Sequence, residues 1–297
     1  MEKTKKYFKE FFEIMKRKEI SILPANLAYF FFISIIPVVT VIIYGATSFS
    51  LSFDTVMNFL KETISPSILK ILLPILENNS ITGSSILIVI IAFLVASNGA
   101  HSIIIASNTV FNIKNKNYFY RILKACFITL ILIVLFLFLL LVPMFGQSIL
   151  KLFSYIGFDN QITYAFNILY PVLKYPVSIL IVFLLVKMIY TIAPNDKIES
   201  RYVNRGALFT TIGWILITEV YAVYINGIAL KTYNLYYGSL ASIVMLLLWF
   251  YLIAYIFVIG LVLNYKNMEE EIDKTNKIKL DEIKEKVKED REKSLKK

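Results

Sequence analysis

The sequence predicts an all-α polytopic membrane protein with six transmembrane helices and amphipathic helices at the membrane surface. Three observations carry that reading. Of the 297 residues, 58% are hydrophobic and only 18% are charged, against about a quarter charged in a soluble domain. The apolar residues come in unbroken blocks, each long enough to cross a hydrocarbon core of about 30 Å, which takes roughly 20 helical residues. Lys and Arg gather in alternate connections between the blocks, as positive-inside orientation requires. A closed barrel is excluded, because its strands would alternate in polarity over about ten residues.

The elements follow in chain order. Residues 1–19 place Phe8, Phe11, Phe12 and Met15 at helical spacing opposite Lys and Glu, the pattern of a helix lying in the inner interface. Six uncharged runs come next, at about 20–46, 83–113, 125–146, 175–193, 206–226 and 238–264, forming one membrane domain over 20–265. The connection 47–82 carries two apolar stripes broken by Pro66 and Pro74, read as two short amphipathic helices on the outer surface. The tail 266–297 alternates Glu and Lys and reads as a charged cytoplasmic segment. Basic residues before the first span, in the second and fourth connections and in the tail put both termini inside the cytoplasmic membrane. The net charge of +10 is therefore an orientation signal and calls for no nucleic acid.

Particular stretches resemble the YihY/BrkB family. They are ANLAYFFFISIIPVV from Ala25, YTIAP from Tyr190, RGALFTTIGWILITEVYAVYI from Arg205, and YYGSLASIVMLLLWFYLIAYIFVIGLVLN from Tyr236. The resemblance covers about residues 10–265, and its most specific part is the last span with its terminal Gly-x-x-x-Asn. It implies a polytopic inner-membrane fold. Family members have carried labels as a tRNA-processing nuclease and a virulence factor, and others have been linked to lipid or lipopolysaccharide movement. The resemblance names no substrate.

The residues argue against the nuclease label. Two-metal hydrolysis needs several carboxylates converging on ions about 4 Å apart. This chain has one His and one intramembrane acid, with no Cys pair and no Gly-rich phosphate loop. No metal and no cofactor are expected. The lone Cys126 has no disulfide partner and reads as a small apolar residue.

What remains is a short set of polar residues inside apolar runs. Glu219 lies roughly 20 Å along its helix from Gly206, too deep for a short side chain to reach water easily, and is expected to face the bundle interior. It either bonds a neighbouring span or binds protons or a cation there. Ser97, His101 and Asn108 share one helical face, readable as helix packing or as part of a pathway. Lys187 sits about 9 Å from its inner end and can snorkel, although a path shared with Glu219 and His101 stays open. Pro24 and Pro37 are expected to break or kink the first span, with Ser34 placed to bond a freed carbonyl. Arg17, Lys18, Lys114, Arg121, Arg201 and Arg205 form an inner basic rim able to hold anionic headgroups.

The expected function is binding or translocation of an amphiphilic, lipid-like substrate, with membrane lipids and possible protons as partners and no enzymatic chemistry. Two rivals stand beside it: an ion-coupled carrier of small solutes centred on Glu219, and a non-transporting scaffold acting through the tail. The sequence sets no oligomeric state.

Overall fold

The computed structural model describes residues 2–48, 83–133, 176, 179–224 and 241–295. Among the described residues every regular element is a helix and there is no strand. In chain order these are α1 Glu2–Met15, α2 Lys18–Ser21, α3 Leu23–Ser48, α4 Gly83–Val110, α5 118–133, α6 Ile179–Ile192, α7 Asn204–Tyr224 and α8 Ala241–Leu295. The two outer amphipathic helices expected before the second span lie outside the described residues, as do the outer part of the third span and the fifth connection.

The chain enters the bundle through two breaks. Arg17 adopts an extended conformation (φ −57°, ψ 134°) that ends α1 and starts the short α2. Pro24 then occupies the first turn of α3, where a missing N–H leaves no hydrogen bond unmade. It therefore begins a helix, and Pro37 is the proline inside α3. The expected bond from Ser34 to a freed carbonyl is not formed. Its Oγ is buried without a hydrogen-bond partner, and it faces Gly99 of α4, where a Cβ would stand 3.2 Å from it.

The end of α4 is set by its own sequence. Asn112 takes a positive φ of 55°, a conformation that Asn tolerates better than most residues. Ile113 N–H then bonds the Asn108 carbonyl at 2.8 Å and Asn112 N–H the Thr109 carbonyl at 3.3 Å, which closes the helix in a Schellman arrangement.

Packing is organised around α3 and α8. Helix α4 lies against α3, α3 against α8, and α7 against α8, while α1 rests on the inner part of α8. Leu27, Ile104, Val186, Tyr190, Phe257, Val258 and Leu261 are fully buried between them. Outward-facing residues stay apolar, among them Ile90, Leu94, Leu184, Leu208, Ile212 and Val220. That is what lipid contact asks of a surface. By length and hydropathy, the segments Ile90–Val110 and Ile243–Lys279 can each cross a membrane, and Ile179–Ile192 is a shorter apolar helix.

The closest approach of backbones is between α7 and α8. A Cβ on Gly206 would collide with the Gly260 carbonyl and the Asn264 side chain. One on Gly260 would collide with the hydroxyls of Thr210 and Tyr190. Small residues of this kind let membrane helices meet backbone to backbone. Gly213 is different, since its Cβ would meet no backbone or polar atom, only Ile256 side-chain carbons, the γ2 methyl at 2.7 Å. Gly206→Ala and Gly260→Ala should therefore each destabilise the protein by at least about 1–3 kcal/mol, as overpacking does. Gly213→Ala should cost clearly less. Thermal unfolding midpoints in detergent measure the difference, and equal midpoints for all three variants would contradict it.

Candidate functional site

Among the described residues, the end of the bundle nearest α1, inner in the orientation the sequence predicts, holds most of the buried polar groups, and they divide into a clasp and a rim. The clasp begins at Tyr190 on α6. Its hydroxyl donates to the Phe257 carbonyl at 2.8 Å and lies 2.7 Å from Thr210 Oγ1, which must then donate to it. The Tyr190 ring packs on Phe257 with centroids 4.7 Å apart, and Trp214 also stacks on Phe257, centroids 6.3 Å apart, and donates to the Ile253 carbonyl at 3.0 Å. Three helices are thereby joined through groups that would otherwise be stranded in apolar surroundings. One turn nearer the inner surface, Asn264 Oδ1 accepts from Gly206 N–H at 2.7 Å. That amide belongs to the first turn of α7 and has no partner within its own helix, so α8 caps α7.

A second part of the clasp joins α4 to the segment that follows α6. Asn108 is fully buried, accepts from Asn195 N–H at 2.8 Å and donates to Asn115 Oδ1 at 2.9 Å. Lys124 of α5 reaches the Pro194 carbonyl at 2.6 Å. Burial pulls the Lys124 ammonium below the usual lysine range, with Lys116 adding to the effect and Asp196 opposing it. Asn108 is thus a structural tie.

The other members of its sequence stripe behave separately. Ser97 turns back to the Leu94 carbonyl at 2.7 Å. His101 is half-buried and meets Tyr118 of α5 edge to face at 5.7 Å. Lys187 is half-buried on α6, with no ion pair among the described residues.

Glu219 differs from its expected placement. It is exposed on α7, without a hydrogen bond or ion pair among the described residues. The reason is the face that α7 commits to α8. Gly206, Thr210, Trp214 and Tyr221 fall on one side, and at about 100° per residue Glu219 comes nearly opposite Thr210. It shares that outer side with Leu208, Ile212, Ile215 and Val223. Glu219, His101 and Lys187 are not brought together.

The basic rim separates by partner. Arg201 pairs with Glu199 at 2.7 Å and Arg205 with Glu270 at 3.5 Å, while Lys18 is exposed. Arg121 has no carboxylate partner among the described residues, and its guanidinium sits 6.0 Å from the centre of the Tyr118 ring. Arg17 lines a cleft of about 500 Å³ between α1 and α8, together with Lys6, Glu10, Glu13, Lys266 and Asp273. Lys266, almost entirely buried, bridges Glu10 at 2.5 Å and Glu269 at 3.2 Å and so fastens α1 to α8. Among the described residues, no group of three His, Cys, Asp or Glu side chains is placed to hold a metal ion.

Residues 11–283 match the family described as Virulence factor BrkB. The chain belongs to the BrkB family. It is 29% identical over 259 residues to YfkH of Bacillus subtilis (strain 168), named as a ribonuclease-like protein, covering 86% of this chain and 92% of that one. A UPF0761 membrane protein from Vibrio atlanticus (strain LGP32) is 26% identical over 256 residues, covering 83% of this chain and 77% of that one. Another from Pseudoalteromonas translucida (strain TAC 125) is 33% identical over 95 residues, about a third of each chain. No solved structure matches. Like these relatives, the BrkB-family chain is a membrane protein.

Sequence reasoning assigned no role to Tyr190, Thr210, Gly206, Asn264, Asn195 or Tyr118 in this BrkB-family chain. The signals were the Tyr190–Pro194 stretch and the Gly260/Asn264 pair one helical turn apart, yet their partners lie on other helices. The Lys266 bridge yields a prediction about pH. Its hydrogen bond to Glu10 holds that carboxyl below the usual carboxylate range. A carboxyl lowered by folding contributes stability above its unfolded value of about 4.5 and loses it as pH falls through the lowered folded value. Spin labels at Lys9→Cys and Lys274→Cys, in a Cys126→Ala background, should keep one distance from pH 7 to 5 and separate at lower pH. Glu10→Gln should remove the transition, and a distance independent of both pH and this substitution would contradict the bridge as the fastening.

Proposed function

We propose that this chain is a six-span, non-enzymatic protein of the cytoplasmic membrane that binds and translocates an amphiphilic, lipid-like substrate, with both termini inside. The supporting observation is the surface of α5. Phe119, Leu123, Phe127 and Leu130 are exposed and follow one another along one side of that helix. At the start of the same helix the half-buried His101 of α4 meets the exposed Tyr118, and the half-buried Arg121 lies 6.0 Å from the centre of that ring. An acyl chain fits the strip, and a polar headgroup fits its inner end. Small hydrophilic solutes would need an interior lined by polar side chains. Most buried polar side chains here are instead occupied by bonds to the chain itself. The non-enzymatic part of the reading rests on the sequence, with its single His, single intramembrane acid and lack of a phosphate loop.

Reconstitution tests the transport reading. Proteoliposomes carrying a fluorescent phospholipid should show protein-dependent exposure of the inner-leaflet label to an external quencher. A variant lacking residues 280–297 should keep that activity, because the tail lies beyond the strip. Absence of translocation for anionic, zwitterionic and neutral lipids alike would overturn the reading, and loss of activity with the tail would favour a scaffold.

Topology is tested with single cysteines in the Cys126→Ala background. Positions Asn79, Asn160 and Tyr233 should label from outside, and Asn117 and Glu199 only after permeabilisation. Outside labelling of both inner positions would overturn the six-span arrangement.

A further inference from the structure

We propose that His101 and Arg121 together bind the phosphate group of an anionic ligand at the contact between α4 and α5. The proposal takes its source of phosphate, a lipid headgroup, from the reading above, but the site itself is argued from its own geometry.

Two nitrogen atoms define it. His101 Nε2 and Arg121 Nε are each shielded from solvent, and neither has a hydrogen-bond partner among the described residues. Such atoms are uncommon in folded proteins, because a buried polar group without a partner keeps the cost of its lost hydration. Here two of them sit around one ring: Tyr118 touches His101 at 5.7 Å, and Arg121 lies 6.0 Å from its centre. The guanidinium is near enough to act electrostatically on the imidazole. One small acceptor placed between the helices would satisfy both.

Charge decides the sign of that acceptor. Lys114, Lys116, Arg121 and Lys124 crowd the start of α5, and among the described residues none of them forms an ion pair with a carboxylate. The facing acid is Asp196, exposed and acting on Lys124 from a distance. The contrast with Arg201 and Arg205 is direct, since each of those already holds a glutamate. Orientation by positive charge alone explains why cations are present at this surface. It does not explain why this guanidinium stands, without a carboxylate among the described residues, near an imidazole whose Nε2 is shielded from solvent.

Phosphate suits the two donors better than a single-point acceptor. Its oxygens point in several directions, so one can take the planar guanidinium while another takes an N–H from a different helix. Neutral His101, carrying its proton on Nε2, donates to that second oxygen. Depth adds a constraint. His101 lies nine residues from Val110, about 14 Å along the helix. In the orientation the sequence predicts, a phosphate bound there stands inside the inner leaflet's edge, a depth that a headgroup held by its own acyl chains reaches without leaving the bilayer.

The lone histidine makes a direct test possible. Histidine-labelled protein in neutral detergent gives one imidazole NMR signal, titrated with short-chain phosphatidylglycerol, glycerol phosphate or short-chain diacylglycerol. The signal should move saturably with phosphatidylglycerol and stay fixed with diacylglycerol. Arg121→Gln should weaken binding by about tenfold or more, the loss of a charge-assisted contact. Arg201→Gln, altering an arginine already paired, should bind as the parent does. Arg121→Lys, which keeps the charge, checks that the Gln variant fails through binding, and equal unfolding midpoints confirm folding. Glycerol phosphate binding as tightly as the lipid supports the phosphate site while assigning it to a free phosphate. An unmoved signal with both phosphate probes, or full binding by Arg121→Gln, overturns the proposal. Failure of lipid translocation with the NMR response intact would instead count against the transport reading alone.

Discussion

The contact between Gly206 and Gly260 is the constraint on which the inner half of this bundle depends. Two backbones meet there because neither carries a Cβ, and everything around them is positioned by that distance. Tyr190 reaches the Phe257 carbonyl and Thr210 together only if α7 and α8 are this close. Asn264 caps the first turn of α7 for the same reason. In an apolar medium such bonds are not exchanged for bonds to water, so a helix pair held apart by one methyl group would strand several polar atoms at once. Stability and precision at the inner end therefore come from the smallest side chains in the molecule.

Much of the architecture is legible in the primary structure, and the reasons differ by element. The helices announce themselves because every backbone group in lipid must be satisfied within its own segment, which makes long apolar runs unambiguous. α4 matches its expected start, and Asn112 closes it through a residue type suited to positive φ. Side-chain facing is harder to read. Glu219 looks like an interior residue from depth alone, yet the glycine and aromatic positions of α7 had already committed the opposite face to α8. Asn108 stood in the polar stripe but its partners, Asn195 and Asn115, lie in connections whose course the stripe does not encode. Pro24 reads as a possible kink until its place in the first turn of α3 is seen.

The inner surface also shows how similar residues divide their work. Arg201 and Arg205 are neutralised within the fold, and the buried Lys266 holds two glutamates and ties α1 down. Arg121 is left over, next to aromatic rings and a histidine. A sequence read for orientation counts all of these as equal contributions to positive charge. The structure sorts them into cations that hold the protein together and cations, Arg121 among them, that have no carboxylate partner among the described residues.

Helix α8 runs unbroken through 55 residues, from the packed helices of the bundle out to Leu295 in the charged tail. At about 1.5 Å per residue that is a rod of roughly 80 Å. It has no proline from Ala241 to Leu295, and none of the glycines after Gly260 that would give it a joint. An unjointed rod transmits rotation. Turning its tail end turns the face that carries Phe257, Gly260 and Asn264, and with it the hydroxyls and amide that face engages on α6 and α7. The charged tail and the packed interior are in this sense one mechanical part, so a load applied to the tail is felt where Tyr190 meets the backbone.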